Sequence, residues 1–461
     1  MNFRKSIFAS VLLIALTIGA HGREAAADSS NIVVMVSVDG LAAYYFDDPK
    51  AEMPNIHALA AGARAKAMKA VTPTVTWPNH TTLVTGVMPA RHGVVGNNFY
   101  DREKRELVTL IFDPVLDEEQ IVKVPTIYDV AKSNGLRTLG INWPASRNAK
   151  NLDWTIPEVH KLDLYRKYTT PSVLDDCREN GFSLLDEIFH GTTREAESKT
   201  DAINTRVLNL LLKKHRPHLA LLHLGNADHV QHDKGPKSAE AYAAIKEADE
   251  EVGAIWRELQ TDFPDKATLF VVSDHGFSPM KSIILPNIIL RKAGLVEVKD
   301  KKIIGGPVRF VSQAGAGMVY VLDEKNRKEI IAKIEKAFRK VKGISKIVGP
   351  DHLKDYGVAN PKDDPHAPDL ILFAEEGFTF GDTAAGDLPF NEKPERLGSH
   401  GHDPSLPDLH ATFVAWGKGI KAGVQIGEIK NINVAPTIAK IVGISLPQIE
   451  GAPLSEILIG N

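Results

Sequence analysis

The sequence predicts an α/β fold in which a central, mostly parallel sheet carries helices on both faces. Three observations lead to this prediction. Continuous apolar, β-prone runs are typical of strands covered on both faces, and helical periodicity separates each run from the next. Acidic residues follow two of the runs directly, as Asp39 and Asp274. The runs occupy residues 31–38, 136–141, 218–224 and 268–273.

Helices and a change of pattern complete the predicted architecture. Apolar residues recur at helical spacing over 126–133, 198–214 and 238–259. From 285 to 397 the regular alternation of apolar runs and helical segments changes. This indicates a smaller inserted α+β subdomain within a catalytic domain spanning 31–461. The insert has the length of a lid or cleft wall, but a peripheral elaboration fits equally well. A core strand at 410–416 then rejoins the sheet.

Composition sets limits on function. The chain has 461 residues, 43% of them hydrophobic, which is enough for a large core. Its net charge of −3 argues against binding nucleic acid or anionic membranes through bulk charge. Any phosphate group must therefore be bound by the residues of a local site and not by the overall charge of the protein. Cys177 is the only cysteine of the sequence, so no internal disulfide forms.

The N-terminus has the pattern of a signal peptide. Basic Arg4 and Lys5 precede an apolar run at 6–20, and small residues follow it. We expect a signal peptide over residues 1–22, with cleavage as late as 27, and export to the periplasm or the medium. An uncleaved anchor is the alternative, although the run is short for a span. No other segment of the sequence is apolar enough to cross a bilayer.

The segment 74–86 reads as a helix start that carries a nucleophile. Pro78 suits the first turn of a helix, and Thr76 is placed to cap that turn. A hydroxyl there would face free backbone N–H groups, which favour a phosphate-like anion. A purely structural cap explains the same residues when they are taken alone.

Residue types that bind metals lie near several predicted strand ends. They are Asp39, the pair Asp274 and His275, Asp228 with His232, and His400 with His402. Asp228 and His232 are four residues apart and would share one face of a helix. Mixed carboxylate and imidazole ligands suit a pair of divalent ions such as zinc, as in phosphoryl transfer, and do not conflict with manganese or iron. The spacing leaves open which residue binds which ion.

Five motifs in order resemble the nucleotide pyrophosphatase/phosphodiesterase family of the alkaline phosphatase superfamily. They lie at 36–41, 74–86, 91–98, 273–276 and 400–401. The resemblance runs from about residue 31 to the C-terminus, is weakest across the insert, and implies an alkaline-phosphatase-like fold.

The resemblance also implies roles for individual residues. Thr76 would be the nucleophile that forms a phospho-threonine intermediate, and Asn97 would donate to a non-bridging phosphate oxygen beside a backbone N–H of the Thr76 region. Trp77 would pack against the leaving group or nucleobase, with a core Trp as the alternative. Two zinc ions would be held, one by Asp39, Thr76, Asp274 and His275 and the other by Asp228, His232 and His400.

Two departures from the family pattern leave alternatives open. Asn226-Ala227 stands where Glu-Pro is common, and His402 stands where an aromatic residue usually follows His400-Gly401. We therefore keep His402 and His229 as alternative ligands or as residues supporting the ligands.

These features predict a two-metal phosphodiesterase or nucleotide pyrophosphatase acting on small molecules. Diesters are favoured because no Arg or Lys neighbours Thr76 to neutralise a monoester dianion. A phosphonoacetate-type hydrolase or a phosphomonoesterase is the nearest alternative, and a non-catalytic, metal-binding exported protein is a more distant one. The leaving group (nucleotide, glycerophosphodiester or lysophospholipid) and the oligomeric state stay open.

Overall fold

The structure, a computed structural model, describes residues 31–112 and 114–460. The predicted signal peptide at 1–22 therefore lies outside the described residues. Within the described ranges, no helix has both the length and the apolar character that a membrane crossing requires.

A large mixed sheet forms the centre of the molecule and confirms the predicted α/β class. In the described part of the chain it has eight strands. Only β21 (Phe413–Gly417) runs antiparallel to its neighbours, β10 (Ala267–Val272) and β2 (Ala63–Lys69). The other pairs are parallel. In spatial order the strands are β22 (Val424–Lys430), β2 (Ala63–Lys69), β21 (Phe413–Gly417), β10 (Ala267–Val272), β1 (Ile32–Val38), β9 (Leu219–Leu224), β5 (Thr138–Trp143) and β6 (Trp154–Pro157).

Helices cover both faces of this sheet. The helices predicted at 126–133, 198–214 and 238–259 are present as α5 (Ile127–Ser133), α9 (Glu197–His215) and α11 (Ala239–Asp262). In chain order the helices are α1 (Pro54–Leu59), α2 (Thr76–Thr85), α3 (Pro89–His92), α4 (Glu118–Ile121), α5 (Ile127–Ser133), α6 (Leu162–Tyr168), α7 (Pro171–Glu179), α8 (Leu184–Ile188), α9 (Glu197–His215), α10 (Asn226–Lys234), α11 (Ala239–Asp262), α12 (Pro286–Lys292), α13 (Arg327–Phe338) and α14 (Val434–Val442).

Strand β1 is apolar throughout because both of its faces are buried. Val34 and Val36 belong to the core formed with α9 and α11, whereas Val33 and Met35 belong to the core formed with α2 and α14. This double coverage is the physical reason for the unbroken apolar run in the sequence.

A second, antiparallel sheet lies within the range predicted as an insert. It contains β14 (Val308–Gln313), β15 (Ala316–Val321), β17 (Leu370–Ala374) and β16 (Ile344–Val348), and α12 and α13 pack on it. The boundaries 285–397 themselves stay a prediction. The remaining strands are β11 (Ser278–Ile284) with β18 (Gly377–Phe380), β19 (Phe390–Asn391) and β20 (Gly398–Ser399), and the pairs β3 (Asn98–Asp101) with β4 (Glu106–Thr109), β7 (Phe189–His190) with β8 (Thr193–Arg194), and β12 (Glu297–Lys299) with β13 (Lys302–Gly305).

Candidate active site

Three neighbouring parallel strands bring the predicted metal-binding residues to one edge of the sheet. Asp39 directly follows β1, and Asp274 lies two residues after β10, which pairs with β1. On the other side of β1, strand β9 leads into α10, which carries Asp228 and His232 on one face. The carboxyl ends of these strands therefore meet, as expected where an open α/β sheet binds its ligand.

One group of candidate ligands joins α10 to the loop after β20. Asp228, His232 and His400 each offer an atom within 4.8 Å of the others. The two imidazole Nε2 atoms lie 3.0 Å apart, and each lies 3.5 Å from an Asp228 oxygen. The His232 Nδ1 donates to the Gly398 carbonyl and the His400 Nδ1 to the Thr74 carbonyl, so both Nε2 lone pairs face inward.

The protonation of these two histidines agrees with a cation between them. Burial lowers the pKa of His232, and burial together with the neighbouring histidines lowers the pKa of His400 well below its usual value. Two neutral rings whose lone pairs face one another repel unless a cation lies between them. This donor set therefore fits a divalent metal.

A second group lies beside the first, at the ends of β1 and β10. Asp39, Asp228 and His275 also approach within 4.8 Å, so Asp228 belongs to both groups. The His275 Nε2 lies 3.4 Å from an Asp39 oxygen and 3.2 Å from an Asp274 oxygen. Burial, with the nearby Asp274 charge, raises the pKa of Asp39 well above its usual value. Four buried atoms here make no hydrogen bond: Asp39 Oδ1, Asp228 Oδ1, Asp274 Oδ2 and His275 Nε2.

Thr76 stands at the start of α2, in the wall of a cavity that Asp39, Asp228, His232 and His400 also line. The cavity has a volume of about 220 Å³, and Thr76, Asp39, Asn97 and His400 line it. One sequence expectation is wrong: Thr76 is the first helical residue, and Val75 occupies the cap position without a side-chain bond. The Thr76 hydroxyl is therefore not used as a helix cap.

Asn97 is held beside Thr76 by the backbone of α2. Its Oδ1 accepts the Trp77 N–H at 2.9 Å, which leaves the Nδ2 amino group for the cavity. The same bond occupies the Trp77 N–H, so this backbone donor is not open to a phosphate. Of these two groups, only the Asn97 Nδ2 amino group is left to face the cavity.

Comparisons with known proteins identify the family of the chain. The family model described as type I phosphodiesterase / nucleotide pyrophosphatase matches residues 33–403. The chain belongs to this family. Among curated members, it is 24% identical to mouse ectonucleotide pyrophosphatase/phosphodiesterase family member 1 over 89% of this chain and 40% of the relative. It is 25% identical to a venom phosphodiesterase of Naja atra over 87% of this chain and 43% of the relative.

Other relatives match over most of their length. The chain is 24% identical to a bis(5'-adenosyl)-triphosphatase of Xenopus laevis, over 95% of this chain and 83% of that protein. Among solved structures, murine ectonucleotide pyrophosphatase/phosphodiesterase 5, an inactive form in complex with AMP, superposes with a TM-score of 0.68 at 17% identity. The match covers 93% of this chain and 100% of the murine chain, and it confirms the predicted fold.

Trp77 lies in the core of this family member. Its side chain is 1% exposed and packs among Val95, Phe99 and Leu110. Its indole N–H donates to Glu158 at 2.8 Å. This placement matches the alternative considered from the sequence, a core Trp that supports the start of α2, and it leaves no ring face for a leaving group.

The two alternative histidine ligands lie outside both ligand groups. His402 is fully buried, and its Nε2 bonds to the Phe378 carbonyl at 2.7 Å. His229 is more than half exposed on α10, 4.0 Å from Asp233. The structure thus brings His400, and neither alternative, to the ligand groups.

Sequence reasoning missed several residues of this phosphodiesterase-family site. The His223 Nε2 bonds to Asp39 at 2.9 Å, and its position near the end of a predicted strand was the available signal. Glu158 lines the cavity, and burial raises its pKa to about 7. Arg194 and Arg396 also line it. They are remote from Thr76 in the sequence, which gives no local sign that they lie near it.

Proposed function

We propose that the protein is a two-zinc phosphodiesterase or nucleotide pyrophosphatase that acts through Thr76. One observation carries the proposal: several candidate ligand atoms face one another without hydrogen-bond partners, near a threonine hydroxyl that does not cap its helix. One zinc would be held by Asp39, Thr76, Asp274 and His275, and the other by Asp228, His232 and His400. Asp228 belongs to both ligand groups.

The bound ions would supply positive charge that makes a hydroxyl acidic and offsets charge on phosphate oxygens. The Thr76 hydroxyl gives up its proton to water and its Oγ1 attacks phosphorus, forming a phospho-threonine. The bond to the leaving oxygen breaks, and that oxygen takes up a proton from water. Water then attacks phosphorus and releases Thr76. Asn97 Nδ2 donates to a non-bridging oxygen, a preorganised contact whose loss typically costs about 10²–10³ in rate.

Nucleotides are the first substrate class to test. A fold neighbour is recorded in complex with AMP, and a relative is named for a dinucleoside triphosphate. A second cavity of about 570 Å³ shares Asn97, His232 and His400 with the site and offers room for a leaving group.

The decisive experiment is turnover of bis-p-nitrophenyl phosphate and of a nucleotide p-nitrophenyl ester by the purified protein. We expect chelator to abolish turnover and added zinc to restore it. Turnover that is absent, or insensitive to chelator, contradicts the proposal.

A phosphomonoesterase is the second candidate because two arginines reach the cavity. Arg194 pairs with Glu197, and Arg396 lies 3.9 Å from Asp233 with its side chain mostly exposed. Such groups could neutralise a dianion. Comparing diester, monoester and phosphonate substrates separates this candidate, and a phosphonoacetate-type hydrolase, from a diesterase.

Export is part of the proposal. The relatives named as ectonucleotidases and venom enzymes support it. N-terminal sequencing of the mature protein tests the predicted cleavage between residues 22 and 27.

A further inference from the structure

The turn between β14 and β15, in the second sheet, contacts the segments that carry Asn97 and His400. At this turn Gln313 is 3% exposed, although it is polar. Its Oε1 accepts the Asn97 N–H at 2.9 Å, and its Nε2 donates to the Asn98 carbonyl at 2.6 Å. One side chain thus satisfies a backbone donor and a backbone acceptor on the segment that presents the Asn97 amide.

The same turn also holds the segment of His400. The Gly315 N–H donates to the His400 carbonyl at 2.7 Å. Gly401 has a φ of +89°, and a Cβ there would lie 2.0 Å from the Gln313 carbonyl oxygen. The Gly401 N–H in turn donates to the Thr74 carbonyl, two residues before Thr76. Gln313 and Gly315 therefore connect the segments that carry Asn97, His400 and Thr76.

We propose that Gln313 is a positioning residue for Asn97, so that the second sheet forms part of the catalytic centre. The inference rests on the proposed function, in which Asn97 contacts the phosphate. Asn97 lies in the loop that leads into β3, and Asn98 is the first residue of that strand. Without Gln313, the Asn97 N–H and the Asn98 carbonyl lose these partners. The bond from Trp77 orients the Asn97 amide, and Gln313 fixes the backbone from which that amide projects.

Replacing Gln313 by Met tests this role because Met preserves the length and removes both hydrogen bonds. For bis-p-nitrophenyl phosphate we expect kcat to fall about 10–100-fold, as a small misplacement of a catalytic group does, with KM changing less than about threefold. Zinc content should stay at the wild-type level. Gln425→Met, on the exposed edge strand β22, is the matched control and should leave kcat unchanged.

A double-mutant cycle with Asn97→Ala separates positioning from general packing. If Gln313 acts through Asn97, adding Gln313→Met to Asn97→Ala should lower kcat by less than about threefold more. The inference is overturned if the two substitutions lower kcat of the double variant by the product of their single effects. It is also overturned if Gln313→Met keeps the wild-type kcat. If Gln313→Met does not fold, Gln313→Asn gives the same test, since its shorter amide cannot reach both partners. If the wild type turns over substrate and Thr76→Ala does not, the proposed function holds even where this inference fails.

Discussion

At the scale of single residues, the Thr76 side chain does not cap the helix that begins with it. Val75 takes the cap position, and the Thr76 side chain is nine-tenths buried at the cavity wall. The free energy that a capping hydroxyl would contribute to folding is therefore absent at this residue. Chemistry and stability can be separated here by mutation.

Thr76→Ala should abolish turnover and leave folding almost unchanged. Loss of a nucleophile typically costs about 10⁴–10⁶ in kcat. In the metal-free protein, loss of a side chain without a structural bond should shift the free energy of unfolding by less than about 1 kcal/mol. Turnover and urea unfolding measure the two effects. Thr85→Ala, at the far end of α2, is the control and should keep its activity. Wild-type turnover in Thr76→Ala would remove Thr76 from the mechanism.

At the scale of elements, helix α10 depends on a distant carboxylate for its position. Asp201, buried on α9, accepts the N–H groups of Gly225 and Asn226 at 3.0 and 2.9 Å, where α10 begins. Asn226 donates to Glu247 on α11 at 2.9 Å. Neighbouring helices thereby orient the helix that presents Asp228 and His232.

Asp201→Asn should weaken metal binding without touching a candidate ligand. An amide oxygen replaces only part of the acceptor capacity, so the start of α10 loosens. We expect zinc affinity to fall roughly 10-fold, as for other residues that orient ligands, measured by competition with a chromophoric chelator. Asp300→Asn, on the exposed turn between β12 and β13, is the control. Unchanged affinity in Asp201→Asn would contradict this role.

Helix α4 contains a buried acid that makes stability depend on pH. Burial raises the pKa of Glu118 from 4.5 to about 7, and Glu118 accepts the Tyr128 hydroxyl at 2.7 Å. The folded state binds this proton more tightly than the unfolded state. Its stabilising contribution is therefore complete below about pH 4.5 and is lost as the pH rises through about 7.

Glu118→Gln should remove this loss, because Gln still accepts from Tyr128 and carries no charge. The free energy of unfolding of the variant, minus that of the wild type, should be larger at pH 8 than at pH 5 by on the order of 1–3 kcal/mol. Urea unfolding at the two pH values measures the difference. Glu119→Gln, the exposed neighbour, should follow the wild type. Parallel pH profiles for wild type and Glu118→Gln would rule out Glu118 as the source.

At the scale of the whole molecule, the ligand groups join segments from 39 to 400, so metal should stabilise the entire fold. Removal of the metal by a chelator should lower Tm. Zinc at 1,000 times its Kd adds about 4 kcal/mol to the free energy of unfolding when it binds only the native state. Calorimetry with chelator, and then with zinc restored, measures this. Magnesium should not restore Tm. An identical Tm with and without chelator would contradict a structural contribution from metal.

Prediction from sequence succeeded where local pattern reflects local environment. The apolar run of β1 reported burial on both faces, and the acids that follow β1 and β10 lie at adjacent strand ends. The sequence also predicted that Asp228 and His232 share a helix face, and the structure confirms this.

Other features depend on contacts between distant segments and left no local signal. Arg194 reaches the cavity from a short hairpin and Arg396 from just before β20. Burial of Trp77 depends on the hairpin of β3 and β4, and the partners of Gln313 lie more than 200 positions away. Helical spacing could not distinguish a Thr76 cap from a Thr76 in the first turn.

The position of β21 in the central sheet has a consequence for how the chain folds during synthesis. This strand, near the end of the chain, lies between β10 and the early strand β2. Until residues 413–417 have emerged, β2 has no connection to β10 through the sheet, and both strands keep unpaired edges that invite aggregation. A chain truncated before residue 413 should therefore be insoluble, even though it keeps every predicted ligand.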